Sequence, residues 1–402
     1  MTMRFVVPVL SAALMLAACG EIGTEAPADG DVFDGPLPGL TPEELAAFVK
    51  GDEVFGFAFS PALGLGPIFN NVSCASCHSG DGRGRPENAL TRFSRSATDP
   101  ALDIGGPQLQ DKALPGATPE TLPAGVLTSL RLPPPVFGTG LIAAIPVATI
   151  LANADPNDQD GDGISGRPNM VVPAAFVPLD EPGGGSGPQL GRFSRKAQVT
   201  SLLQQITEAY HQDMGVTSDF LPAENVNPQV GTPTETADLA VDPELPMADL
   251  RAVIHYVRLL APPAPGPDTP QRQLGANLFG QIGCARCHTP VMQTGSNVIQ
   301  ALAFKPVTLY SDLLLHDMGD ALADNRPDGQ ATGREWKTTP LWGLRLMRQF
   351  LNGQAFLLHD GSAGSVEDAV IRHGGEAQVA RDAFVNLSAD DRAALLDFVE
   401  SR

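Results

Sequence analysis

Apolar residues recur at helical spacing in two stretches that follow acid-rich starts, Ala252-Val253-Ile254-His255-Tyr256-Val257 and Ala394-Leu395-Leu396-Asp397-Phe398-Val399. Each predicts an amphipathic helix at the end of a domain. Thr41-Pro42-Glu43-Glu44 predicts the start of an earlier helix: Thr41 caps it, Pro42 suits its first position, and Glu44 completes a capping box. Another helix is expected from Lys196 to Asp213, stopped by Gly215. Between these the pattern loses its period. Residues 131–146 are apolar and Pro-rich, 155–162 are Asp-rich, and Gly183-Gly184-Gly185-Ser186-Gly187 is a glycine run. With 42 Gly and 37 Pro in 402 residues, compact helices joined by long irregular connections are expected.

The first apolar run, Phe5 to Ala18, follows Arg4 and is too short to span a bilayer. It ends in Leu16-Ala17-Ala18-Cys19-Gly20, which looks like a bacterial lipobox. Residues 1–19 are therefore read as a lipoprotein signal, with Cys19 lipidated and the protein tethered in the periplasm. Residues 20–40, acidic and rich in Gly and Pro, read as a flexible stalk. The Pro-rich run Ala261-Pro262-Pro263-Ala264-Pro265-Gly266-Pro267 reads as a linker. It separates 41–262 from 263–402.

Besides Cys19 there are four cysteines, and each pair is followed directly by histidine: Cys74-Ala75-Ser76-Cys77-His78 and Cys284-Ala285-Arg286-Cys287-His288. The string Phe69-x4-Cys74 also matches Phe279-x4-Cys284. Cys-x-x-Cys-His is a haem c attachment signature. Its thiols add across the haem vinyl groups, and the histidine becomes a proximal axial ligand. One zinc site built from four thiols would leave both histidines without a role. Two-residue spacing also suits redox or metal chemistry better than structural disulfides. The expected fold is mainly α, with two cytochrome c-like haem domains, the first enlarged by irregular insertions.

Of the other histidines, His211 and His255 read as structural, while His316, His359 and His373 lie in the second half with Met318. Thr339-Pro340, His359-Asp360-Gly361, Val366-Glu367-Asp368-Ala369-Val370 and His373-Gly374 occur in that order. This stretch resembles the C-terminal haem domain of bacterial di-haem cytochrome c peroxidases. There a Met shortly after the Glu-Ala-Val run is the sixth ligand, and in the related methylamine dehydrogenase maturation enzymes a Tyr fills the place. The resemblance implies that His373 does so here. Met318 and His316 compete for the role.

From about Phe55 to Arg402 the chain resembles a family of di-haem oxidoreductases, peroxidase-like and sometimes labelled thiol oxidoreductases. The carrying segments are Gly66-Pro67-Ile68-Phe69-Asn70, Gln108-Leu109-Gln110, Asp160-Gly161-Asp162-Gly163-Ile164-Ser165-Gly166-Arg167, Asp213-Met214-Gly215 and Leu314-Leu315-His316-Asp317-Met318-Gly319. Family members usually have Glu where this chain has Ala143.

The resemblance implies a peroxidase-like enzyme. A reactive N-terminal haem on His78 would receive electrons from a C-terminal relay haem on His288 and His373. Gln108 and Gln110 are candidate distal-pocket catalytic residues, and Trp336 and Trp342 are candidates for helping electrons cross. The alternatives are an electron carrier with two six-coordinate haems, or a maturation-type oxidase of protein side chains.

Asp155-x-x-Asp158-x-Asp160-x-Asp162-Gly163 spaces carboxylates like the start of a calcium loop, although Asn169 stands where an EF-hand has Glu. Calcium held by Asp158, Asp160 and Asp162 is expected. The net charge of −20 disfavours nucleic acid and anionic lipid headgroups as partners. It suits a basic partner, such as a soluble electron-donor cytochrome or another small redox protein.

The repeated motif makes a first prediction. Intact mass and pyridine haemochrome assay should give two covalently attached haems per chain; one haem or none sinks the reading.

Overall fold

The structure is a computed structural model and describes residues 32–402 apart from 79, 81 and 231–239. The expected signal segment and Cys19 lie outside the described residues. The helices are α1 (Pro42–Gly56), α2 (Cys74–Cys77), α3 (Thr139–Ala144), α4 (Val147–Leu151), α5 (Leu202–Met214) and α6 (Met247–Leu259). They continue as α7 (Pro270–Gln281), α8 (Leu344–Phe350), α9 (Val366–Arg372), α10 (Gln378–Val385) and α11 (Ala389–Glu400). Sheet is sparse. Leu90–Ser94 (β1) pairs antiparallel with Leu127–Arg131 (β2), Leu315–Asp317 (β3) pairs with Glu335–Lys337 (β4), and the other ladders join two-residue strands. No helix of the described residues is long and apolar enough to cross a membrane.

Thr41 starts α1 as its sequence demands: its hydroxyl accepts from Glu44 N, while the Glu44 carboxylate accepts from Thr41 N at 2.8 Å. The helix then crosses α6 at Gly51. A Cβ there would lie 2.2 Å from Ala252 O and 2.5 Å from Tyr256 Cβ, so only hydrogen fits. The second half repeats the device. Gly275 of α7 meets α11, where a Cβ would lie 2.1 Å from Ala394 O and 2.6 Å from Phe398 Cβ.

One turn beyond each glycine stands a phenylalanine. Phe55 lies 5.4 Å from the Tyr256 ring and 6.1 Å from the His78 ring. Phe279 lies 5.5 Å from Phe398 and 6.3 Å from His288. The structural counterpart of Phe279 is therefore Phe55. The matching string around Phe69 is a coincidence of spacing, since Phe69 belongs to a two-residue strand inserted between α1 and the Cys-His turn.

Three other expectations change. The helix expected from Lys196 begins at Leu202, capped by Ser201. Residues 196–200 are drawn off the helix path because Lys196 Nζ donates to Asp324, Arg326 O and Thr332 O, each at 2.8 Å. The stalk expected to reach residue 40 is already packed at Phe33, whose ring lies 5.0 Å from Phe137 and 4.4 Å from Phe350. Leu37 N donates to Leu259 O, and Ala261 N to Gly35 O. Finally, the larger hydrophobic core takes residues from both sides of the Pro-rich run, among them Leu259, Leu309, Leu314, Trp342 and Leu346. A smaller core, containing Leu278, Phe384, Leu395 and Phe398, belongs to the second half.

Gly51→Ala and Gly275→Ala should each destabilise the holoprotein by about 1–3 kcal/mol in chemical denaturation, the usual cost of overpacking. Gly280→Ala, on the same helix as Gly275 but with nothing within 4 Å of its new Cβ, should be neutral or stabilising.

Candidate functional site

Two short turns carry the chemistry. Ser73 caps α2 by accepting from Ser76 N at 3.1 Å, and His78 N donates to Cys74 O at 2.9 Å. One turn of helix thus delivers Cys74, Cys77 and His78 together. The second turn, Cys284–Arg286, does the same by a 3-10 helix, and His288 N donates to Cys284 O at 3.0 Å. Both histidines are fixed alike. His78 Nδ1 donates to Gly82 O at 3.3 Å, and His288 Nδ1 donates to Tyr310 O at 2.9 Å. A carbonyl can only accept, so Nδ1 of each ring carries the proton and Nε2 the lone pair that a metal needs, although the Pro134 backbone also acts on the His78 ring. Burial pushes both pKa values down to about 4, which keeps both rings neutral. Among the described residues the four thiols do not gather into one metal-holding group, which excludes the single zinc site.

A cavity of about 370 Å³ opens over the first turn. Cys74, Cys77 and His78 line it, together with apolar Phe55, Phe137 and Val253. The volume lies in the range of cofactor sites. Arg92 and Arg131 also line it, and buried Arg92 Nε and Arg131 Nη1 have no hydrogen-bond partner among the described residues. Thiols, a free imidazole nitrogen and unmet guanidinium donors together fit a haem, which carries vinyl groups, iron and two carboxylates.

The predicted residues fall unevenly around this cavity. Gln108 lines it, with Nε2 donating to Asp213 Oδ1. Gln110 is not among the lining residues: its Nε2 donates to Gln212 O at 3.0 Å and its backbone N to Glu120 at 2.8 Å, so it buttresses the wall from behind. Ala143 does not line the cavity either, although Thr139 and Ile142 of the same helix do. The helix α5 was expected from the sequence, but not its place in the cavity wall, to which it contributes Gln204, Gln205, Glu208, Gln212, Asp213 and Met214. The signal was the i, i+4 recurrence of polar residues on that helix. The sequence reading also missed Lys337, which lines the same wall.

Around the second turn, His373 caps the C-terminus of α9, and its Nδ1 donates to Ala369 O at 2.6 Å, leaving Nε2 free. Met318 is a neighbour: a Cβ on Gly374 would lie 3.0 Å from Met318 O. His316 is occupied instead. Its Nε2 donates to Asp312 at 2.8 Å and its Nδ1 to Glu376 at 2.7 Å, so both nitrogens are taken. His359 stacks on Trp336 at 3.7 Å, with rings inclined by 10°.

In the acidic loop, carboxylate oxygens of Asp155, Asp158 and Asp160 all lie within 4.8 Å of one another. Asp162 turns away, pairing with Arg286 at 3.2 Å and accepting from Ile164 N at 2.9 Å.

A helix-rich chain with two cysteine–histidine turns and a cavity over one of them has the makings of a haem oxidoreductase. The model of the family described as "Di-haem oxidoreductase, putative peroxidase" matches residues 18–93 and 116–402, and the chain belongs to that family. Haem is accordingly its cofactor, and it is an enzyme of the oxidoreductase class. Two solved structures are similar over their length. One is hydrazine synthase of Kuenenia stuttgartiensis, determined under xenon, with 14% identity, a TM-score of 0.39 and 100% coverage of both chains. The other is a MauG-like protein associated with microbial copper homeostasis, with 13% identity, a TM-score of 0.39 and 94% coverage of both. No curated protein matches the chain.

Proposed function

We propose that the chain is a peroxidase-like enzyme carrying two covalently attached haems, with Cys74, Cys77 and His78 holding the reactive one. Cys284, Cys287, His288 and His373 hold the other, which passes electrons on. The observation that carries this reading is the asymmetry of the two sites. A lined cavity lies over the His78 turn, whereas the His288 turn has a second imidazole, His373, close enough for its charge to act on His288, with an Nε2 that has no partner among the described residues. When bound, haem supplies the redox chemistry. The chain fixes both proximal rings through their Nδ1 atoms and walls the reactive centre with apolar side chains.

A short route joins the sites. His288 Nδ1 donates to Tyr310 O, neighbouring Leu309 O accepts from Leu341 N at 3.0 Å, and Trp342, next in the chain, lines the His78 cavity. In this reading the protein is exported and lipid-tethered in the periplasm, and its charge of −20 draws a small basic redox protein as electron donor.

One observation favours a second reading, that of an electron carrier. Met214 lines the cavity, and a thioether bound there would make the first haem six-coordinate. Optical and EPR spectra of the ferric protein decide between them. A high-spin signal lost on adding peroxide supports the enzyme. Two low-spin haems indifferent to peroxide support the carrier.

His373→Ala should open the second haem to imidazole or cyanide and leave the His78 haem unaltered. His373→Met should raise the potential of one haem only and introduce the near-infrared band of Met-ligated ferric haem. If His373→Ala leaves the spectrum as it was while Met318→Ala converts one haem to high spin, Met318 is the ligand.

The acidic loop is read as a calcium site on Asp155, Asp158 and Asp160. Calcium should raise the thermal midpoint of the chelated holoprotein, and Asp158→Asn should abolish the rise.

A further inference from the structure

The polar face of α5 is turned inward. Polar faces of surface helices normally meet water, yet Gln204, Glu208 and Gln212 all line the cavity over the His78 turn. They stand one turn apart on a single stripe, flanked in the cavity wall by apolar Leu202 and Ile206, while Leu203, Thr207 and Tyr210 are buried without lining it. Within the stripe only Glu208 can exchange a proton. Its Oε1 accepts from Gln204 Nε2 at 2.8 Å, and its Oε2 accepts nothing from the described residues. Burial raises its pKa, opposed by the Gln204 bond and by Arg92 of β1, which also lines the cavity.

Resting on the reading of the His78 haem as the reactive one, we propose that Glu208 is the acid–base group of this cavity, oriented by Gln204 and flanked by Arg92. The substrate class is a small protic oxidant such as hydrogen peroxide. The Glu208 carboxylate takes the proton from one peroxide oxygen and delivers it to the other as the O–O bond breaks, so that the second oxygen leaves as water. Two electrons from a one-electron donor protein and two further protons balance the reduction of one peroxide to two waters. Asp213 is the rival carboxyl. It also lines the cavity, but its Oδ1 is bonded to Gln108 and its charge acts on Cys77, which sets it at the edge where the thiols attach.

Hydrogen cyanide must lose its proton on binding ferric haem, so its association rate reads the base without turnover. In the ferric holoprotein Glu208→Gln should slow cyanide association at the His78 haem by about 10²-fold or more. Glu208→Asp, which retains a carboxyl, should recover much of that loss, and Asp213→Asn should slow association far less than Glu208→Gln. A wild-type rate in Glu208→Gln overturns the proposal. So does slowing by Asp213→Asn instead, or equal slowing by Glu208→Asp and Glu208→Gln, which would mark a structural role. If the wild-type protein takes up no cyanide at the His78 haem, the reading beneath the proposal fails, and the proposal with it.

Discussion

Each Cys-x-x-Cys-His turn offers a histidine whose Nδ1 is tied to a backbone carbonyl, Gly82 O for His78 and Tyr310 O for His288. That bond settles the tautomer and stops the ring from swinging, so the free nitrogen points in one direction. The remaining arrangement serves the same end. A phenylalanine stands beside each ring, and its place is set by a helix crossing so close that only glycine fits at Gly51 and Gly275. Glycine inside a helix ordinarily costs about 1 kcal/mol. Here the cost is offset by bringing a terminal helix near enough for Tyr256 or Phe398 to pack on that phenylalanine.

Built on this shared frame, the halves diverge through their connections. In the first half β1, β2 and α5 wrap a cavity around the Cys-His turn. A buried ion cluster then ties those insertions to the second half: Arg131 and Arg326 meet Asp328, and Lys196 meets Asp324. Buried pairs of this kind fix geometry more than they add stability. The cluster holds Arg131 at the cavity with its Nη1 unmet among the described residues.

The haem turns, the capping box and the two closing helices were legible because each is written locally: a fixed spacing, a cap, a helical period. The resemblance to di-haem oxidoreductases was likewise legible from ordered motifs. The register of the repeat was not, since the Phe69 string mimics what the Gly51 crossing actually assigns to Phe55. The start of α5 was hidden because Lys196 is bound by partners more than a hundred residues away. The role of α5 was hidden for a related reason. Its polar stripe reads in sequence as a face turned to water, and only the wrapped insertions reveal that it faces a chamber. Gln108 was picked out by its motif, but which of Gln108 and Gln110 reaches the cavity depends on the distant Gln212 and Glu120.

The packing of Phe33 against Phe137 and Phe350 also sets a length. With Cys19 as the proposed anchor, only the short run of residues up to Phe33 lies between lipid and folded body. Even drawn out fully, such a run spans roughly 50 Å. The enzyme would therefore work within a thin layer beside the bilayer. A donor protein would have to fit into that layer or approach from its open side.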